Sequence, residues 1–67
     1  MFVVVELRLK DGKKVYRELS SKLEYPSARR EMIRIAEARV ELEGVRILRE
    51  TDRSITLSNA TLMLGER

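Results

Sequence analysis

Arg8, Lys10, Lys13 and Lys14 crowd one short stretch of this 67-residue chain, countered there only by Asp11. Side chains of this type at this spacing hold anions well, and phosphates above all. Arg29 and Arg30 follow Ser27, where the free N–H groups of a helix start would add to such a site. These six residues, Arg8, Lys10, Lys13, Lys14, Arg29 and Arg30, are the candidate contacts to DNA or RNA, with Arg34 close enough to extend the patch. Phe2, Tyr16 and Tyr25 are the only aromatic residues, too few for a base-stacking platform. No named nucleic-acid-binding motif occurs. A basic β-ribbon of this kind could grip phosphates or enter a groove, and these two absences count against it.

Other chemistry is poorly provided for. His and Cys are absent, which removes the commonest general base, the most reactive nucleophile and the usual zinc ligands. Ser20, Ser21, Ser27, Ser54 and Ser58 stand in no nucleophile motif and suit caps and turns. Gly12, Gly44 and Gly65 are too far apart for a phosphate loop. The carboxylates alternate with arginines and resemble no calcium loop. The reading is a non-enzyme with no catalytic residues, no cofactor and no metal.

The net charge of +3 is modest, and the excess lies in residues 1–22. Residues 23–44 carry −1 and residues 45–67 carry +1. Charged residues make up 37% of the chain, Gln is missing and Asn occurs once, a balance that leans towards proteins working hot. Glu6 interrupts the apolar start at Phe2–Val5, so neither a membrane span nor a signal peptide is expected. A soluble, cytoplasmic protein follows, with no membrane partner. At this length one domain, residues 1–67, is all that can form, and its core is thin. Without disulfides or zinc, assembly with a second copy or with a partner is the compensation that composition favours.

Several elements would carry these residues. Phe2 to Leu9 alternates as a strand, with Val3, Val5, Leu7 and Leu9 on the face expected to meet the core. Asp11-Gly12 marks a hairpin, and Lys13 to Leu19 returns. A three-residue loop would set Leu7 opposite Val15 and Val3 opposite Leu19, keeping one apolar face. A two-residue loop would mix faces while gaining a Glu6–Arg17 pair. The first is expected, because a buried face specifies register. Ser27 is expected to cap a helix that Gly44 ends. Strands are expected at residues 45–49 and 54–57, then a short interruption, then residues 61–64 pairing again, with Gly65 to Arg67 frayed. The fold class is α+β: a ββαββ antiparallel sheet with one helix packed on one face. The alternative is a small all-β barrel, since Ala38, Val40 and Leu42 also alternate. Ala, Glu, Arg, Met and Leu dominate the stretch and favour helix.

On a helical wheel, Ile33, Ala36 and Val40 form one apolar flank and Ile35, Ala38 and Leu42 the other, with Ala28 and Met32 between them. The arc is about twice the roughly 100° stripe that a sheet-packed helix needs. Either the second flank meets another molecule, or the helix is sunk deep with Arg39 and Glu43 pairing at the rim. The outer face runs against the helix dipole, with Arg30 and Arg34 early and Glu37 and Glu41 late. Two such helices packed antiparallel would match these charges. The sequence therefore points to a small binding module, a homodimer whose interface comprises Ile35, Ala38, Leu42, Arg30, Arg34, Glu37 and Glu41. Nucleic-acid binding through the first hairpin is the alternative function.

Overall fold

The computed structural model describes all residues from Met1 to Arg67. Two strands, β1 (Phe2–Lys10) and β2 (Lys13–Glu18), precede the helix α1 (Tyr25–Glu43). Three strands follow it: β3 (Ile47–Glu50), β4 (Ser54–Leu57) and β5 (Thr61–Glu66). All pair antiparallel in one open sheet of order β2-β1-β5-β4-β3. The expected α+β architecture stands, and the barrel is excluded because residues 25–43 are helical.

The core lies between α1 and one face of β1, β5 and β4. Ala28, Met32 and Ala36 sit fully buried along the helix midline. They meet Val4, Ile55, Leu57, Leu62 and Leu64 from the sheet. Ile33 and Ile35, one from each flank of the wide apolar arc, both pack against this cluster. The arc is wide because the helix sinks into the sheet along its midline.

The core face of β1 is the opposite of the one expected. Val4 and Glu6 face the helix, paired with Leu64 and Leu62. Val3 and Val5 lie on the other face and are nevertheless buried. Gly65 explains this, for it pairs with Val3, and a β-carbon on it would come within 3.3 Å of a Val5 methyl. The two valines fill the space that a side chain would take. Arg67 then crosses the same face to reach Glu18 at 2.6 Å. The chain end is accordingly ordered where fraying was expected: β5 runs to Glu66, and the Arg67 N–H donates to the Met1 carbonyl.

The hairpin register also corrects the expectation. Lys10 pairs with Lys13, Leu7 with Tyr16 and Glu6 with Arg17, which is the two-residue loop. Packing could not choose the other register, because every residue of β2 is exposed. Turn geometry decides instead. Asp11 at φ 53° and Gly12 at φ 76° both adopt the left-handed region that a type I′ turn requires.

The helix begins at Tyr25, two residues before the expected Ser27 cap, with Glu24 as its extended cap residue. Pro26 opens the first turn, where its fixed φ fits and its missing N–H costs nothing. Tyr25 is held by an edge-to-face contact with Phe2 and by donating its hydroxyl to the Asp52 carbonyl at 3.0 Å. At the other end Gly44 closes the helix as expected, its N–H donating to the Val40 carbonyl.

The contrast between buried and exposed helix positions gives a direct test. Met32→Ala should lower the unfolding free energy by about 2–5 kcal/mol, the usual range for emptying a packed site. Leu42→Ala, at a position 83% exposed, should change it by less than about 0.5 kcal/mol. Urea unfolding followed by circular dichroism measures both.

Candidate functional site

Most of the chain's charge is solvated, but one carboxylate is not. Glu6 is only 4% exposed and points into the helix-facing side of the sheet. It lies beyond Val4, where the apolar layer gives way to charge. An unpaired carboxylate there would be costly, so its partners define the local structure. Arg39 reaches down from α1 and donates an Nη1 hydrogen bond to Glu6 Oε2. Arg8 Nε approaches the same oxygen at 3.1 Å, and Arg17 Nη2 stands 3.6 Å from Oε1. Three arginines, from α1, β1 and β2, therefore converge on one carboxylate. Arg39 is further braced by Glu43 at 3.8 Å, the rim pairing that goes with the second of the two readings of the apolar arc.

Strand alternation places the remaining hairpin charges. Arg8 and Lys10 on β1 share the face of Glu6, as do Lys13 and Arg17 on β2. Arg8, Lys10, Val15 and Arg17 border a shallow depression over Glu6, outside the cover of the helix, and Lys13 stands next to it opposite Lys10. Lys14 stands on the opposite face, beside Leu9. Arg29 lies far from this cluster: it pairs with Glu50 at 3.9 Å on β3, the other edge of the sheet. Arg30 is exposed on the helix and contacts Ser27. Of the six candidate phosphate contacts, the structure therefore gathers Arg8, Lys10 and Lys13. It adds Arg17 and Arg39, which sequence reasoning did not include. The signal for Arg17 was its pairing with Glu6 in the two-residue register.

The candidate interface residues of the helix are distributed differently. Ile35 and Ala38 are half-buried, and Ile35 packs on its own core. Leu42 is exposed, as are Arg30, Arg34, Glu37 and Glu41. Arg34 pairs with Glu31, one turn earlier, which satisfies part of the charge pattern within a single helix.

A second surface is apolar. On the face of the sheet away from α1, Val3, Val5, Leu7 and Leu9 line up on β1, with Tyr16 on β2 and Met63 on β5 beside them. Arg67 and Glu18 cover the Val3 end. The Leu9 end is bare: Leu9 is 73% and Tyr16 60% exposed. Because β1 outruns β5 after Leu7, a notch of about 460 Å³ opens between Leu9 and the turn at Ser58–Ala60. No group of three or more acidic side chains gathers anywhere. No helix is long and apolar enough to cross a membrane. No family model, curated protein or solved structure matches this chain.

Burial alone pushes the Glu6 carboxyl pKa up, but the hydrogen bonds and charges of Arg39 and Arg8 outweigh it and hold the pKa below its usual value. The folded-state pKa thus lies under the unfolded one, which is about 4.3 for Glu. Ionised Glu6 then contributes stability that is complete above the unfolded value and is lost as pH falls through the folded one. Glu6→Gln should cost about 1.5–3 kcal/mol near neutrality, the range for a charge-assisted hydrogen bond. The gap between variant and wild type should close on acidification below about pH 4, as wild-type Glu6 is itself neutralised. Thermal unfolding of both proteins across that pH range measures the difference.

Proposed function

We propose that the protein is a non-catalytic interaction module that assembles as a homodimer. The observation that carries this reading is the uncovered apolar face of β1, β2 and β5. One helix covers only one side of the sheet, while Leu9 and Tyr16 stand exposed on the other. A 67-residue chain that buries 12 residues has little core of its own, and covering this face would enlarge it.

A second copy of the chain suits that face in size and charge. The molecule measures 31 × 25 Å in its two longer dimensions. That outline is the whole molecule's and sets the upper limit for such a contact, on the order of the roughly 800 Å² per partner that a standard interface buries. Lys14 and Glu18 stand at opposite ends of β2 on this face. A two-fold axis lying between the two sheets and perpendicular to β2 would set each Lys14 towards the partner's Glu18, a self-complementary match of the kind isologous packing allows. Sheet-on-sheet packing of this kind is the ordinary way to bury a second apolar face. The helix offers less, because Leu42 and Val40 are its only well-exposed large apolar residues. Their neighbours Glu37 and Glu41 are exposed and charged. Contact with DNA or RNA is compatible with this assembly, since Arg8, Lys10, Lys13 and Arg17 lie on the other face of the sheet.

Size-exclusion chromatography with light scattering at tens of micromolar should report a dimer; a monomer would sink the reading. Leu9→Glu with Tyr16→Glu should give a monomer with an unchanged circular-dichroism spectrum, and Leu42→Glu should leave the dimer intact. Dissociation by Leu42→Glu alone would move the interface to the helix.

A further inference from the structure

We propose that the helix-side face of the β1–β2 hairpin is a binding site for the phosphate backbone of duplex nucleic acid, built from Arg8, Lys10, Lys13 and Arg17. Glu6 is what turns these side chains into a site. One carboxylate cannot neutralise three arginines, so the cluster keeps an excess of positive charge even when Glu6 is fully paired. Arg39 is largely buried and fixed against it, whereas Arg8 and Arg17 stay accessible, Arg8 anchored through Nε at 3.1 Å and Arg17 held more loosely at 3.6 Å. Anchoring limits the rotamer freedom lost when a ligand is gripped, and a guanidinium has donors to spare for a phosphate.

The shape of the charged surface favours an extended polyanion. Arg17 and Lys13 are four residues apart on β2, which spans about 14 Å at ~3.4 Å per residue. Arg8 and Lys10 run alongside on β1. A row of that length faces several consecutive phosphates of a duplex, which presents one charge per ~1.7 Å of axis. Val15 is the only apolar side chain among them, and no aromatic ring lines the depression. Base stacking and insertion into a lipid interface both need such groups, and here Tyr16 and Leu9 point the other way. Backbone contact without base reading fits the side chains present.

The test uses a short fluorescein-labelled duplex DNA of mixed sequence, titrated with the full chain while anisotropy is followed at several salt concentrations. Binding should weaken with salt at a slope of about −3 to −4 in log K against log salt, as four phosphate contacts require. Lys10→Glu with Lys13→Glu should weaken binding at least tenfold and flatten the slope by about 2. Arg30→Glu with Arg34→Glu changes the net charge equally on the outer face of the helix and should leave both quantities near wild type. Absence of binding at low salt overturns the proposal. So does an equal loss in the two double variants, which would mean net charge without a site. Retention on phosphatidylserine vesicles without binding to the duplex also overturns it. Circular dichroism confirms that each variant is folded.

Discussion

Glu6 sits where the apolar layer between helix and sheet ends, and its charge has to be met on the spot. Arg39 meets it from the helix, which ties the C-terminal half of α1 to β1 and fixes the rotation of the helix about its axis. Ala28, Met32 and Ala36 precede Arg39 at helical spacing, so that rotation brings all three down onto Val4, Leu62 and Ile55. The same carboxylate draws in Arg8 and Arg17 and orders the hairpin where no core reaches it. A buried ion pair is weak evidence of stability, since an apolar pair of the same shape often does as well. What the pair adds is a directional contact between α1 and β1, which apolar packing alone does not supply.

A single helix cannot cover five strands. It lies on β1, β5 and β4, leaving β2 and β3 outside its cover. Every residue of both outer strands is exposed. Exposed edges invite pairing with other chains, and Lys13, Lys14 and Arg17 on β2 oppose it with charge. The bulge between Ile47 and Arg49 breaks the register of β3 for a comparable effect. The two broad surfaces of the molecule follow from this partial cover. On the helix side the uncovered hairpin presents arginine and lysine. On the far side the sheet presents Leu7, Leu9 and Tyr16.

The elements themselves were legible in the sequence, because they rest on local rules. Asp11-Gly12 marked the hairpin, Gly44 the helix end, and the composition of residues 27–44 the helix. Orientation was less legible. Val3, Val5, Leu7 and Leu9 form the cleaner apolar stripe, yet Val4 faces the helix. Alternation gives two faces without saying which one is covered, and β1 is buried on both for half its length. The same ambiguity bears on the register, since β2 has no buried apolar face to set it. The helix start and the ordered chain end have tertiary causes that no local pattern carries: Phe2 and Asp52 hold Tyr25, and Glu18 holds Arg67. The Glu6 cluster was half visible, as the Glu6–Arg17 pairing of the rejected register. Arg39, thirty-three residues away, had no local signal beyond its place in the helix stripe.

The two proposed surfaces constrain each other. Because successive residues of a strand point to opposite faces, Leu9 and Tyr16 cannot be buried in a sheet-to-sheet dimer without turning Lys10, Arg17 and Arg8 outward. Back-to-back packing of two copies would produce four layers, helix, sheet, sheet and helix, with a cationic hairpin on each outer side. The two phosphate sites would then face away from one another. Such a dimer is shaped to hold two duplexes, one on each side, and is poorly shaped to wrap one. Packing through the helices would do the reverse, bringing the helix-side faces together and crowding both cationic clusters into the interface. That conflict is a physical reason, separate from apolar area, for placing self-association on the open face of the sheet.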